Sequence, residues 1–214
     1  MASRLKIDPQ KPDEGKVAEA VRILRGGGVV AFPTETFYGL GVEARQDAAV
    51  EKIFRIKGRN LRNPISVIVD NDREVVPLVT AIPEAAQILM KKFWPGPLTL
   101  VFSAASPVSS HLTGGTGKIG IRVSSHPIAR LLAKGLVGPL TATSANLSGH
   151  PECSTAEDAL FAFGDCLDAV IDGGATPGGL GSTILDITVH PPLILRVGAV
   201  SRIEILDALG IPAF

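Results

Sequence analysis

The sequence predicts an α/β chain of the α+β type, folded as one domain on a twisted mixed sheet of about seven strands flanked by about six helices. Three observations carry this expectation. Helix-period and strand-period apolar patterns alternate along the chain, with no internal repeat and no low-complexity linker. Apolar residues make up 45% of the 214, enough for a sizeable core. Capping and turn residues stand where the patterns change period.

The elements follow in order. Val17, Val21 and Leu24 share one face of a first helix, and Gly26, Gly27 and Gly28 end it, because glycine accepts the left-handed cap. Residues 29–32 form a short apolar strand. Asp47 is positioned to cap a second helix with Val50, Ile53 and Phe54 inward. Residues 65–69 read as a buried strand, and Pro83 opens a helix through Phe93. Residues 98–102 and 119–123 read as strands, and Pro127 starts a helix ending near Gly135. Residues 140–143, 169–171, 183–187 and 193–197 have strand character. Ser154 with Glu157, and Ser201 with Glu204, have the capping-box spacing for two further helices.

Composition narrows the function. Lys plus Arg number 21 and Asp plus Glu number 21, so the net charge is zero. A protein that coats nucleic acid is strongly basic, so any RNA contact here should be local. The two cysteines, Cys153 and Cys166, form no CxxC pair and read as reduced thiols. Residues 1–14 are polar, which argues against a secretory signal, and no uncharged run of 18 apolar residues occurs, so a cytoplasmic chain without a membrane span is expected. The expected boundaries are an N-terminal extension over 1–14, the domain over 15–207 and a tail over 208–214.

Common catalytic constellations are missing. There is no HExxH, no GxSxG and no Walker phosphate loop. The stretch Gly114-Gly115-Thr116-Gly117-Lys118 is similar to the last of these but reads better as a turn before a strand. Four other segments carry more. Arg55-Ile56-Lys57-Gly58-Arg59-Asn60-Leu61-Arg62 holds four cations and no acid. The bland reading is a helix end complementing its dipole. The cations continue into a loop, however, where the dipole no longer explains them, and such a loop suits a triphosphate or an RNA backbone. Pro33-Thr34-Glu35-Thr36-Phe37-Tyr38-Gly39 crowds hydroxyls, a carboxylate and a phenol at a strand end, either as a site or as a capped turn. Thr141-Ala142-Thr143-Ser144-Ala145-Asn146-Leu147-Ser148-Gly149 is open to the same two readings. The glycine-rich Gly178-Gly179-Leu180-Gly181-Ser182 would let backbone N–H groups approach an anion. Arg122 and Arg196 are lone charges in apolar strands, and each is either outward-facing or functional.

Taken together, these segments resemble the YrdC-like family of threonylcarbamoyl-AMP synthases. The matching pieces are PTETFYGLG at 33–41, KGR with NP at 57–64, FWPGPLT at 93–99, IGIRV with SHP at 119–127, TSANLSG at 143–149, GSTILD at 181–186 and ILRVGAVS at 194–201. Their order and spacing agree from about residue 15 to about residue 205.

The resemblance implies a single domain around a basic cavity. The implied activity makes threonylcarbamoyl-AMP and pyrophosphate from L-threonine, bicarbonate and ATP, for tRNA modification. Magnesium would arrive with ATP, and no protein-ligated metal is implied. Thr36, Tyr38, Arg122, Ala142 and Ser182 would hold threonine. Lys57, Arg59, Asn63, Lys118, Ser144, Asn146 and Arg196 would face the nucleotide, with Lys57, Arg59 and Arg122 as the catalytic set. A local contact with tRNA or double-stranded RNA, and a transient one with the tRNA threonylcarbamoyl transferase complex, fit the same reading. Two departures stand out: Ile68 where family members often carry histidine, and Lys118 where many carry threonine. The rival readings are an RNA-binding module of the same fold without ATP turnover and a paralogue that adenylates another carbamate.

Overall fold

The computed structural model describes residues 2–106 and 108–212; the ends of the expected extension and tail, Met1 and residues 213–214, lie outside them. The fold is α/β with mixed strand pairing, but the strands divide into two sheets instead of one. In the first sheet the order is β1 (Ser3–Lys6), β9 (Ala169–Asp172), β2 (Val30–Pro33), β3 (Tyr38–Gly41) and β8 (Thr143–Ser144). In the second it is β11 (Leu193–Arg196), β10 (Thr183–Asp186), β5 (Leu98–Ser103), β6 (Lys118–Arg122), β4 (Val67–Ile68) and β7 (Leu140–Thr141).

Two departures from the sequence pattern accompany the division into two sheets. Residues 38–41 form β3, antiparallel to β2 with Phe32 opposite Gly39, where the sequence pattern gave a site or a capped turn and no strand. The glycines are there for packing. A Cβ at Gly41 would lie 2.7 Å from the Phe32 ring and 2.8 Å from Leu140. The strand expected over 140–143 is two short ones, because the chain crosses between sheets at Ala142. Its amide donates to Ser66 O at 2.8 Å, and the Ala145 amide donates to Tyr38 O at 2.8 Å.

Strand alternation then supplies two cores. Along β2, Val30 and Phe32 face a core shared with Val17, Val21 and Leu24 of α1 (Glu14–Arg25) and with Ile128, Leu132 and Leu136 of α5 (Pro127–Leu136). Ala31 faces the larger core between the sheets, with Leu98, Leu100, Phe102, Ile119 and Ile121. Residues 3–6, inside the polar N-terminal stretch, are an edge strand parallel to β9.

Helix ends follow capping chemistry with small shifts. Asp13 accepts from Lys16 N to start α1, and after the Gly26 cap it is Gly27 that takes positive φ, at 75°. Helix α2 (Asp47–Lys57) has Gln46, not Asp47, as its N-cap; Asp47 lies in the first turn, where an acid suits the dipole. The capping box of α6 (Ala156–Phe163) is Thr155 with Asp158, one residue later than Ser154 with Glu157. Glu157 pairs with Arg4 instead. Helix α7 (Arg202–Ala208) has its box on Ser201 and Glu204 as the spacing implied. Helix α3 (Glu84–Phe93) follows Pro83, and a short helix α4 (Ser110–Thr113) ends on Gly114, so the glycines at 114–117 are a turn into β6. None of the helices among the described residues is long and apolar enough to cross a membrane.

Gly198, just past β11, tests how tightly the second sheet closes. A Cβ there would lie 2.3 Å from Gly181 O and 2.5 Å from Thr183 N, both backbone atoms that cannot swing aside. Gly198→Ala should lower stability by about 1–3 kcal/mol in urea unfolding. A change under about 0.5 kcal/mol would mean the close approach is absent in solution.

Candidate active site

A hollow of about 140 Å³ opens between the two sheets. From the first sheet it takes the turn residues Thr34, Thr36 and Phe37, then Tyr38 and Gly39, with Thr143 and Ser144 across. From the second it takes Thr99, Arg122, Ser182, Ile184 and Arg196. Ala142, at the crossing, and Arg59, just after α2, complete the wall.

The turn is braced from within. Thr34 Oγ1 donates to Phe37 O at 2.7 Å and accepts from Thr36 N at 3.2 Å. Tyr38 is fully buried; its hydroxyl donates to Gly174 O at 2.8 Å and accepts from Gly173 N at 3.3 Å.

Three guanidiniums meet here. Arg59 follows Gly58, whose φ of 59° turns the chain out of α2. Its Nη2 donates to Pro64 O at 2.8 Å, its Nη1 makes a long contact of 3.4 Å with Thr143 Oγ1, and its buried Nε has no partner. Arg196 donates through Nε and Nη2 to Ser182 O, at 3.0 and 2.7 Å, and through Nη2 to Ser182 Oγ at 2.9 Å. Arg122 ends β6 with its side chain 8% exposed and Nη1 3.0 Å from Glu35 Oε1. Burial holds Arg59 and Arg196 below the usual guanidinium range; Arg196 adds to the effect on Arg59, and Arg122 to that on Arg196. Glu152 is the only acid on the lining, so the wall is net positive. Hydroxyls of Thr99 and Ser182, 3.1 Å apart, lie beside the cations. Such a wall binds anions with neutral groups at hand for hydrogen bonding.

Of the residues singled out from sequence, Thr36, Tyr38, Arg59, Arg122, Ala142, Ser144, Ser182 and Arg196 line this one hollow. Four do not. Lys57 is 3% exposed, and its ammonium is turned onto the 144–146 loop, bonded to Ser144 O, to Asn146 O at 2.6 Å and to Asn146 Oδ1 at 3.0 Å. Its three protons are therefore engaged. Burial, with Arg59 adding, brings Lys57 down to about 8. Asn146 lies behind the wall, taking a 2.6 Å bond from Ser144 Oγ and donating to His150 O at 2.6 Å. Asn63 is exposed on the 59–64 loop, and Lys118, at the opposite end of β6 from Arg122, reaches Asp186 at 2.8 Å. Residues that sequence reasoning gave no role include Thr34, Ser66, Thr99 and Glu152 on the wall, and Glu35 behind Arg122. Glu35 had one signal, a lone acid inside a hydroxyl-rich turn. Thr99 closes the FWPGPLT motif without a role being assigned to it, and Ser66 had no signal, because only the strand register brings it to the hollow. No cluster of three or more His, Cys, Asp or Glu side chains among the described residues is arranged to hold a metal ion.

Fold and hollow together define an α/β protein with a cationic, hydroxyl-lined hollow between two sheets. The Sua5–YciO–YrdC family model, described as telomere recombination, matches residues 22–198. The threonylcarbamoyl-AMP synthase of Pyrococcus abyssi is 39% identical over 201 residues, covering 94% of this chain and 59% of its own length. That of Bacillus subtilis is 37% identical over 204 residues, with 95% and 59% covered. The crystal structure of P. abyssi Sua5 complexed with L-threonine matches with a TM-score of 0.93 at 38% identity, covering 98% of this chain and 61% of that one. This chain belongs to the Sua5–YciO–YrdC family, and it spans 59% of the length of the two curated relatives.

Tyr38 supplies a pH-dependent test of the site's frame. Burial pushes its phenol up to about 12 from 10.0. A raised folded value means the stability contribution is complete below pH 10 and is lost as pH climbs towards 12. Wild type should exceed Tyr38→Phe by about 1–2 kcal/mol near pH 7, and the gap should close above pH 10. A gap that is constant to pH 11.5 in denaturant titrations would contradict the buried phenol.

Proposed function

We propose that the chain is an L-threonylcarbamoyladenylate synthase, a nucleotidyltransferase. It would join L-threonine, bicarbonate and ATP into threonylcarbamoyl-AMP and pyrophosphate, for the threonylcarbamoyladenosine modification of tRNA next to the anticodon, in the cytoplasm. The observation that carries the reading is the convergence of Arg59, Arg122 and Arg196 on one hollow lined with hydroxyls. The names of the two curated relatives agree with it.

The chemistry needs what this wall offers. The threonine amine takes up CO₂ derived from bicarbonate and becomes a carbamate. A carbamate oxygen attacks the α-phosphorus of ATP, the bond to the β-phosphate oxygen breaks, and pyrophosphate leaves. The attacking oxygen is already anionic, so no serine, cysteine or histidine base is required. The obstacle is repulsion between two anions, and fixed cations reduce it. Arg122 suits the threonine carboxylate, because a guanidinium gives geometry as well as charge. Thr36, Tyr38, Ala142 and Ser182 would shape the rest of that pocket. Arg59, Arg196 and Ser144 would meet the phosphates, with magnesium arriving as part of the ATP complex. Lys57 and Asn146 would act through the loop that carries Ser144. About 140 Å³ suits an amino acid and the reacting phosphates, not a whole nucleotide. The remainder of ATP would therefore extend outward, where Asn63 stands, while Lys118 has no evident part.

Pyrophosphate release with each substrate withheld tests the assignment. It should need threonine, bicarbonate and ATP together, and Arg122→Ala should cost about 2–4 kcal/mol in kcat/KM. Release that persists without threonine would refute the substrate, and a loss below about threefold would refute the role of Arg122.

A further inference from the structure

Arg122 has an unusual partner. Glu35 Oε1 is 3.0 Å from Arg122 Nη1, yet it accepts no aligned hydrogen bond. The other oxygen, Oε2, accepts from Ser124 Oγ, a fully buried hydroxyl. Glu35 is thus tied down on one side and faces Arg122 as charge on the other. Had the two formed a bidentate fork, two guanidinium N–H groups would be spent. Instead, the Arg122 side chain makes no aligned hydrogen bond to any described residue, although it lines the hollow. Its donors are left for a ligand.

The electrostatics point the same way. Arg122 disfavours the charged form of Arg196, and Arg196 does the same to Arg59. Three cations on one wall leave a one-sided positive charge that an acid beside Arg122 offsets in part. Glu35 is that acid, and its side chain is only 12% exposed. His126, the N-cap of α5, also feels the Glu35 charge, while burial keeps the imidazole below its ordinary range.

We propose that Glu35 is a positioning and specificity residue: it fixes Arg122 by an off-line charge contact that leaves the guanidinium donors free, and so matches the site to a zwitterionic amino acid rather than to a bare anion. The inference rests on the threonine reading. A zwitterion has no net charge, so the field of Glu35 costs it little, and it brings a carboxylate for Arg122. A bare polyanion such as pyrophosphate meets only the repulsion of Glu35. Removing the Glu35 charge should therefore move the two ligands in opposite directions. General disruption of the pocket would weaken both.

Calorimetric titration of the whole chain with L-threonine, and separately with inorganic pyrophosphate, reads both arms without turnover. Glu35→Gln should weaken threonine about tenfold and tighten pyrophosphate about threefold. Unchanged threonine affinity, or weakening of both ligands together, would overturn the proposal. If Glu35→Gln does not fold, Ser124→Ala, which releases Glu35 Oε2, should show the same opposed changes at about a third of the size. Two unchanged affinities in that variant would overturn it equally. Wild-type protein that binds pyrophosphate but no threonine would refute the threonine reading, and this inference with it.

Discussion

The structure depends on three guanidiniums held around a small hollow with too little negative charge to neutralise them. Burying cations is costly unless they are paired or hydrogen-bonded. Here the cost is met mostly by dipoles. Pro64 O and Ser182 O accept from Arg59 and Arg196, and only Arg122 has a carboxylate at its back. A site of this kind is stable enough to form and still attracts anions. That combination of burial, partial satisfaction and one sign of charge marks a candidate functional cleft.

The architecture exists to hold those side chains at fixed range. Arg122 and Arg196 come from different strands of one sheet, Arg59 from the exit of α2, and the threonine and serine hydroxyls from both sheets. The crossing at Ala142 hands the chain from one sheet to the other beside the hollow. Lys57 secures the next segment by gripping the 144–146 loop from beneath. Rigid strands give positions that a loop-built site would not, and preorganised charge is the main requirement for a phosphoryl transfer with an anionic nucleophile.

Much of this was legible in the sequence. Period changes located the long helices and the central strands, because burial on one face imposes the pattern. The division into two sheets was not legible. Residues 38–41 look like a loop because Gly39 and Gly41 break the strand pattern, yet those glycines are present to admit the Phe32 ring. The edge strand at 3–6 hid in a polar stretch, since pairing along one edge needs little apolar surface. Within the site, motif resemblance reached the arginines and the hydroxyl turn. It could not tell which way a long side chain points. Lys57 belongs to a cationic motif but turns its ammonium into carbonyl oxygens, and Lys118 turns to Asp186. Ser66 reaches the hollow through register alone, which no local pattern encodes.

The claim that a carbamate meets ATP in this hollow is tested most directly by the mass of the adenylate formed from L-threonine, ATP and ¹³C-labelled bicarbonate. The account predicts an adenylate containing threonine and one labelled carbon, and none from the protein with Arg122 replaced by alanine. An unlabelled threonyl adenylate, or no adenylate at all from the wild-type chain, would contradict it.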